Sequence, residues 1–299
     1  VIGALWRVVL TADFDPAKPD AIDALVRTTR PTATSADATA SVLAGVLGAL
    51  ADLALVKGSP ALIAQQLAAV DVVVAIITRV SRVDAPTDRA SPERAALVAA
   101  MRWLAAVSTH PLTKHLVDKG VLHIARRSLE MRVDDELLVH AIVLCANVAS
   151  DHEDLATAVC AARIPRLLTR VVLNAATAAE VKRLAVDAVD TIVASLGGNT
   201  ATTETEEKTL PVALAALASS QSSPVCWAEG VWGLHLMAVA EPAKTASKLA
   251  RLPAVMEVLR ERSTPNGPTT TPAAPGDEVA LARRVAGLTL ADLEKAASL

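Results

Sequence analysis

The sequence predicts an all-α protein, a right-handed α-α superhelix of about five three-helix repeats plus terminal helices, and three observations lead there. First, a helix-boundary residue, a branched aliphatic and often a proline recur together as Asp71-Val72-Val73, Gly120-Val121-Leu122, Arg163-Ile164-Pro165, Thr209-Leu210-Pro211 and Arg251-Leu252-Pro253. Their spacings are 49, 43, 46 and 42 residues. A period in the forties marks a helical solenoid, in which each unit buries its apolar face only by stacking on its neighbours. Second, apolar anchors sit between these openings near the ends of longer helical runs, at Leu5, Leu50, Leu104, Cys145, Ile192 and Leu234, spaced 45, 54, 41, 47 and 42 residues apart. Third, apolar residues make up 52% of the 299 and aromatics 2%, with no Tyr and one Phe, a composition that suits closely packed helices of Ala, Val and Leu.

No composition shift divides the chain, so residues 1–263 read as one solenoid, with a partial first repeat at 1–30. The run from Ala38 to Ala51 is apolar and uncharged but too short to span a bilayer, and a buried helix accounts for it. The long second interval between anchors contains the polar, proline-bearing stretch Asp84 to Pro92, an expanded loop. A helix follows over about Glu93 to Thr109, capped by Ser91 with Pro92 at its first position. Pro111 breaks it, a short helix covers Leu112 to Asp118, and Gly120 turns the chain into a helix ending near Met131. The same short, medium, long rhythm continues with Asp151 and Pro165 as punctuation. Gly197 to Lys208 is a Gly-, Thr- and Glu-rich connector, and residues 264–277 are a Pro/Thr-rich linker. Residues 278–299 hold a last helix, either a cap docked back on the solenoid or the start of a further repeat. The opening at Val1, inside an apparent helix, suggests a fragment of a larger protein.

The net charge of −3 and pI near 6.1 argue against broad nucleic-acid binding, which needs a clustered basic footprint. Three widely separated cysteines, Cys145, Cys160 and Cys226, fit neither a disulfide framework nor metal spacing, and point to a reducing compartment and buried structural thiols. The six histidines form no HExxH pattern, and GxGxxG, P-loop and GxSxG motifs are absent. No catalytic residue, cofactor or metal is expected.

The segment Leu116-Val117-Asp118-Lys119-Gly120-Val121-Leu122 resembles the junction between first and second helices of armadillo repeats. Ala4-Leu5-Trp6-Arg7-Val8 and Trp232-Gly233-Leu234-His235-Leu236 resemble the end of the third. HEAT-like repeats, with two helices and similar periods, are the structural alternative. The armadillo resemblance implies that third helices line a concave surface that holds extended peptides or partner helices. In nuclear-import members an Asn follows the anchor by two residues. Here those positions are Arg7, Asp52, Ala106, Asn147, Ala194 and Leu236, so only Asn147 matches and the regular Asn ladder is missing.

Steps of three, four and seven residues extend each inner stripe. They place Asp52, Arg102, His140, Asn147, Asp187, Asp190, Glu229 and Trp232 on the concave face, four acids against one base, with Trp232 as an aromatic anchor for an Arg or Lys. Lys114, Lys119, Arg126 and Arg127 form a possible outer basic patch. The expected function is therefore a non-enzymatic scaffold or adaptor for a protein or peptide partner, a basic one where the acidic stripe is used, with no nucleic acid and no membrane span, in the cytoplasm. The alternative is a docking or regulatory module of a larger kinase, cytoskeletal or ciliary protein, with a nuclear-transport adaptor behind both.

Overall fold

Prolines and left-handed turns decide where the helices begin. The computed structural model describes residues 92–108, 112–131, 134–197, 209–221, 223–240, 245–264 and 278–297. Helix α1 (Pro92–Val107) starts on the proline expected at its first position. Helix α2 (Thr113–Asp118) ends in a turn at Gly120, whose φ of 82° is open to glycine without a side-chain clash, and α3 (Val121–Met131) begins directly after it. The equivalent junction between α5 (Glu153–Ala161) and α6 (Ile164–Leu173) is made by Arg163 at φ 63°, a left-handed conformation that costs a non-glycine residue.

The long helices have their own start signals. Helix α4 (Asp135–Asp151) follows Asp134, whose Oδ1 accepts a hydrogen bond of 3.1 Å from the Glu136 backbone N–H, and acids fill its first turn. At α5, His152 caps the helix by accepting from Asp154 N–H through Nδ1 at 3.2 Å. Helix α7 spans Ala179–Ser195. Prolines sit in the first turns of α8 (Leu210–Ser219), α9 (Pro224–Ala240) and α11 (Pro253–Ser263), with the single-turn α10 (Ser247–Ala250) before the last of these. The C-terminal helix α12 spans Glu278–Ala297. Every described element is helical.

The chain divides into two compact units, Val1–Val148 and Ala149–Leu299, with the boundary inside α4. In the first, Met101, Trp103, Leu104, Leu116, Leu129, Ile142 and Leu144 are fully buried. The anchors Leu104, Cys145, Ile192 and Leu234 are likewise buried, as the recurrence requires. In the second unit, the medium and long helices pair as α6 with α7, α8 with α9, and α11 with α12. Helix α12 packs on α9, α10 and α11, in the place of a third helix for the last triad. It buries Ala282, Val285, Ala286 and Leu293 there, which gives the C-terminal segment a defined seat. No described helix is long and apolar enough to cross a membrane. All but the first residue of the 264–277 linker and of the Gly197 to Lys208 connector lie outside the described residues, as do Ser91 and every expectation placed before it, from the partial first repeat to the loop that begins at Asp84.

Candidate interaction surfaces

In the first unit the two long helices are locked in register by one side chain. Asn147 of α4 donates from Nδ2 to the Ala105 carbonyl of α1 at 2.9 Å and to Ser108 Oγ at 3.1 Å. An amide spanning two helices this way fixes both their separation and their axial offset. The sequence placed Asn147 on a peptide-holding face, and the structure commits its amide to the chain itself. At the other end Arg94 ion-pairs with Asp134 and reaches Glu136 at 3.4 Å.

That register brings Arg102 of α1 beside His140 of α4. Ala99, Arg102, Ala106, His140, Val143 and Asn147 all keep solvent exposure, while the residues between them on the same helices, Ala146 apart, are buried. Partial burial pulls the His140 imidazole below its ordinary value of 6.5, Glu136 pushes it back up, and the nearby Arg102 charge lowers it further. Of the outer basic patch, Lys114, Lys119 and Arg127 are exposed, whereas Arg126 is half-buried and pairs with Glu130 at 2.9 Å. One of the four charges is thereby offset along its own helix.

In the second unit Asp187 is exposed and Asp190 half-buried on α7. Glu229 departs from expectation. It was placed among the acids that face a partner, yet it is 1% exposed and tied to Arg166 of α6. Its Oε1 accepts from Arg166 Nε at 2.8 Å and from Nη2, and its Oε2 accepts from the Arg166 backbone N–H at 3.3 Å. The carboxylate thus neutralises a guanidinium and satisfies an orphan N–H in the first turn of α6, where the helix dipole favours an anion. Burial raises the Glu229 carboxyl above its ordinary range, opposed by the hydrogen bonds and charge of Arg166. On the Arg166 side burial also acts against the charge, but the two carboxylates that hold it outweigh this and raise it.

The aromatic anchor meets a similar fate. Trp232 is half-buried, and the Arg166 guanidinium carbon lies 5.1 Å from its ring centroid, so the cation it was expected to take from a partner comes from its own chain. His235 stacks edge-on to the same ring with centroids 5.9 Å apart. Helix α12 closes the cluster: Glu278 binds Arg166 at 2.7 Å and Arg163 at 3.2 Å. Thr289 Oγ1 lies 2.8 Å from the Val285 carbonyl, to which it donates, and 3.0 Å from His235 Nδ1.

Packing explains the departure. The repeat register would stack α9 on α7, but α9 packs against α5, α6, α8 and α12, while α7 packs on α5, α6 and α8. Two glycines open the notch that admits it. A Cβ on Gly230 would stand 2.7 Å from the Leu214 carbonyl oxygen and nearer still to the Ala218 nitrogen; one on Gly233 would meet Leu214 and, at 3.1 Å, Thr169 of α6. Gly230 and Gly233 are the residues that sequence reasoning passed over, and their pairing three apart on a long helix was the available signal. Arg166 carried no signal, because a lone Arg after Pro165 looks like any solvated first-turn residue. Asp52 lies outside the described residues. The described residues contain no group of His, Cys, Asp and Glu arranged to hold a metal ion.

The triads α2–α3–α4, α5–α6–α7 and α10–α11–α12 each run from a short helix to a long one, joined at a turn after the first. The order of helices within these triads is armadillo-like. No protein-family model and no curated protein matches this chain. Similar solved structures include an engineered protein at 20% identity, over 92% of this chain and 97% of that one, with a TM-score of 0.46. A designed armadillo repeat protein in complex with the peptide (KR)4 is 18% identical over 89% and 99% of the two chains, with a TM-score of 0.47. Computationally designed armadillo repeat proteins for modular peptide recognition are 17% identical over 90% and 99%, also at 0.47. The armadillo-like organisation departs from strict repetition at α9, where the third-helix place is taken beside α6.

Proposed function

We propose that this chain is a protein-interaction scaffold that holds an extended or helical segment of a partner along the solvent-facing stripes of its long helices. The observation that supports this reading best is the register of α1 and α4. Asn147 holds the two helices together, and Arg102 and His140 stand side by side on their exposed stripes. Residues repeated at matched positions on adjacent helices offer a partner evenly spaced contacts, which suits a segment of regular conformation.

With Glu229 withdrawn, the exposed stripes of the two units, each taken by itself, are not both acidic. The α1/α4 stripe offers a guanidinium and an imidazole, suited to a carboxylate; Asp187 and Asp190 on α7 offer acids, suited to Lys or Arg. A cytoplasmic setting fits three free, buried cysteines.

Selection from a random peptide display library, followed by titration of the enriched peptides, tests the reading. Arg102→Glu, or Asp187→Lys combined with Asp190→Lys, should weaken at least one class of selected peptide tenfold or more while the thermal midpoint stays in place. Failure to enrich any peptide, or affinities indifferent to both sets of substitutions, would sink it.

A further inference from the structure

Two of the three cysteines lie together. Cys160 is on α5 and Cys226 on α9, helices that pack directly on one another. Cys226 Sγ donates to the Oγ1 of Thr157, one turn before Cys160 on the same face of α5, at 4.0 Å, and the two thiols are near enough to perturb each other's ionisation. Glu229 lies one turn along α9 from Cys226, so both thiols border the buried Arg166 cluster. Cys145 lies on α4, in the middle of its helix, fully buried, and its thiol is pushed up to about 12 by burial.

We propose that Cys160 and Cys226 are a dithiol that closes to a disulfide under peroxide, a reversible staple between α5 and α9. Cys226 is the attacking thiol. Its neighbour Cys160 pulls the Cys226 thiol below its ordinary value in spite of burial, whereas the Cys160 thiol is pushed up by Cys226 and by burial and so is held protonated. Cys226 is also the third residue of α9, directly behind exposed Pro224 and Val225. This first turn hangs on Ser223, whose Oγ accepts from the Val225 N–H at 3.3 Å and whose carbonyl accepts from the Cys226 N–H at 3.1 Å, so brief opening at this helix end admits a molecule as small as hydrogen peroxide.

The Cys226 thiolate attacks one peroxide oxygen and the O–O bond breaks. The departing hydroxide takes up the proton that Cys226 released and leaves as water, and Cys226 becomes a sulfenic acid. Cys160 then gives up its proton and attacks Cys226 Sγ. The S–O bond breaks, hydroxide leaves with that proton as a second water, and the S–S bond forms. Two thiols are oxidised by two electrons and one peroxide is reduced to two waters.

The test treats the folded protein with dilute hydrogen peroxide, quenches it by acid, and digests it without reductant. The expected result is a cross-linked pair of peptides containing Cys160 and Cys226, loss of two hydrogen masses from the intact chain, a raised thermal midpoint, and reversal of all three by dithiothreitol. The Cys145→Ala variant should behave the same way. The Cys160→Ser variant should stop at a Cys226 sulfenic acid, a single added oxygen. The proposal is overturned if both thiols are still alkylated after peroxide and denaturation, if the bond forms only when guanidinium unfolds the chain first, or if oxidation runs to sulfinic acid without a cross-link.

Discussion

Arg262 is the side chain whose removal should cost most for its size. It is 4% exposed, donates from Nε to the Ala218 carbonyl at 2.9 Å and from Nη2 to the Ser219 and Ser220 carbonyls at 3.3 Å each, and stands 5.2 Å from the Trp227 ring centroid. It therefore closes the C-terminus of α8, where unpaired carbonyls carry the negative end of the helix dipole. Arg262→Ala should destabilise the second unit by about 3 kcal/mol, read as a lowered guanidinium midpoint at constant slope. Arg262→Lys should recover only part, since an ammonium cannot reach three carbonyls in a fork. Two histidines supply a pH signature. Burial lowers both His140 and His235 from 6.5, against the pull of Glu136 on the first and Asp292 on the second. The unfolded chain then binds more protons than the folded one in the window just below 6.5, so stability should fall as pH drops through it. The double variant His140→Gln, His235→Gln should flatten that fall in denaturant midpoints measured across the window; an unchanged slope would place the titrating groups elsewhere.

At the scale of elements, the contact between α8 and α9 sets the arrangement of the second unit. Gly230 lets the two backbones approach more closely than any side chain permits. Gly230→Ala should cost about 1–3 kcal/mol or more, because the obstructing atoms are backbone and cannot swing aside. Gly287→Ala on α12 is the internal comparison: its added Cβ meets only Ser263 Cβ at 3.8 Å, ordinary contact, and it should be neutral or slightly stabilising by thermal melt. Helix positions themselves were legible in the sequence. Pro92, Gly120, Pro165, Pro211 and Pro253 act through their own backbone geometry, and α12 begins at the expected Glu278. Which long helix touches which was not legible, because stacking depends on the shape of both surfaces, and the notch at Gly230 and Gly233 has meaning only opposite Leu214 and Thr169.

For the molecule as a whole, α12 is the element on which the second unit depends at its end. Truncation after residue 277 would uncover the faces of α9 and α11 and remove the burial of Val285 and Leu293, worth roughly 3–6 kcal/mol together. It would also take Glu278 from Arg163 and Arg166. Thermal melting should show a lower midpoint, and dye binding should report the apolar face newly open to solvent. Retention of the full midpoint would mean that α12 is an appendage rather than the third helix of its triad.

The sequence by itself determined that this protein is all-α, where most described helices start, which anchors are buried, and that a short, medium, long order recurs. These follow from local rules, proline and glycine geometry and apolar periodicity, which act within a few residues. Only the tertiary structure decided what the candidate residues do. Arg102, His140 and Asp187 keep solvent, Asn147 ties α1 to α4, and Glu229 and Trp232 are drawn inward by Arg166. The fate of an ionisable side chain depends on whether a distant residue arrives to pair with it, and 63 residues separate Arg166 from Glu229.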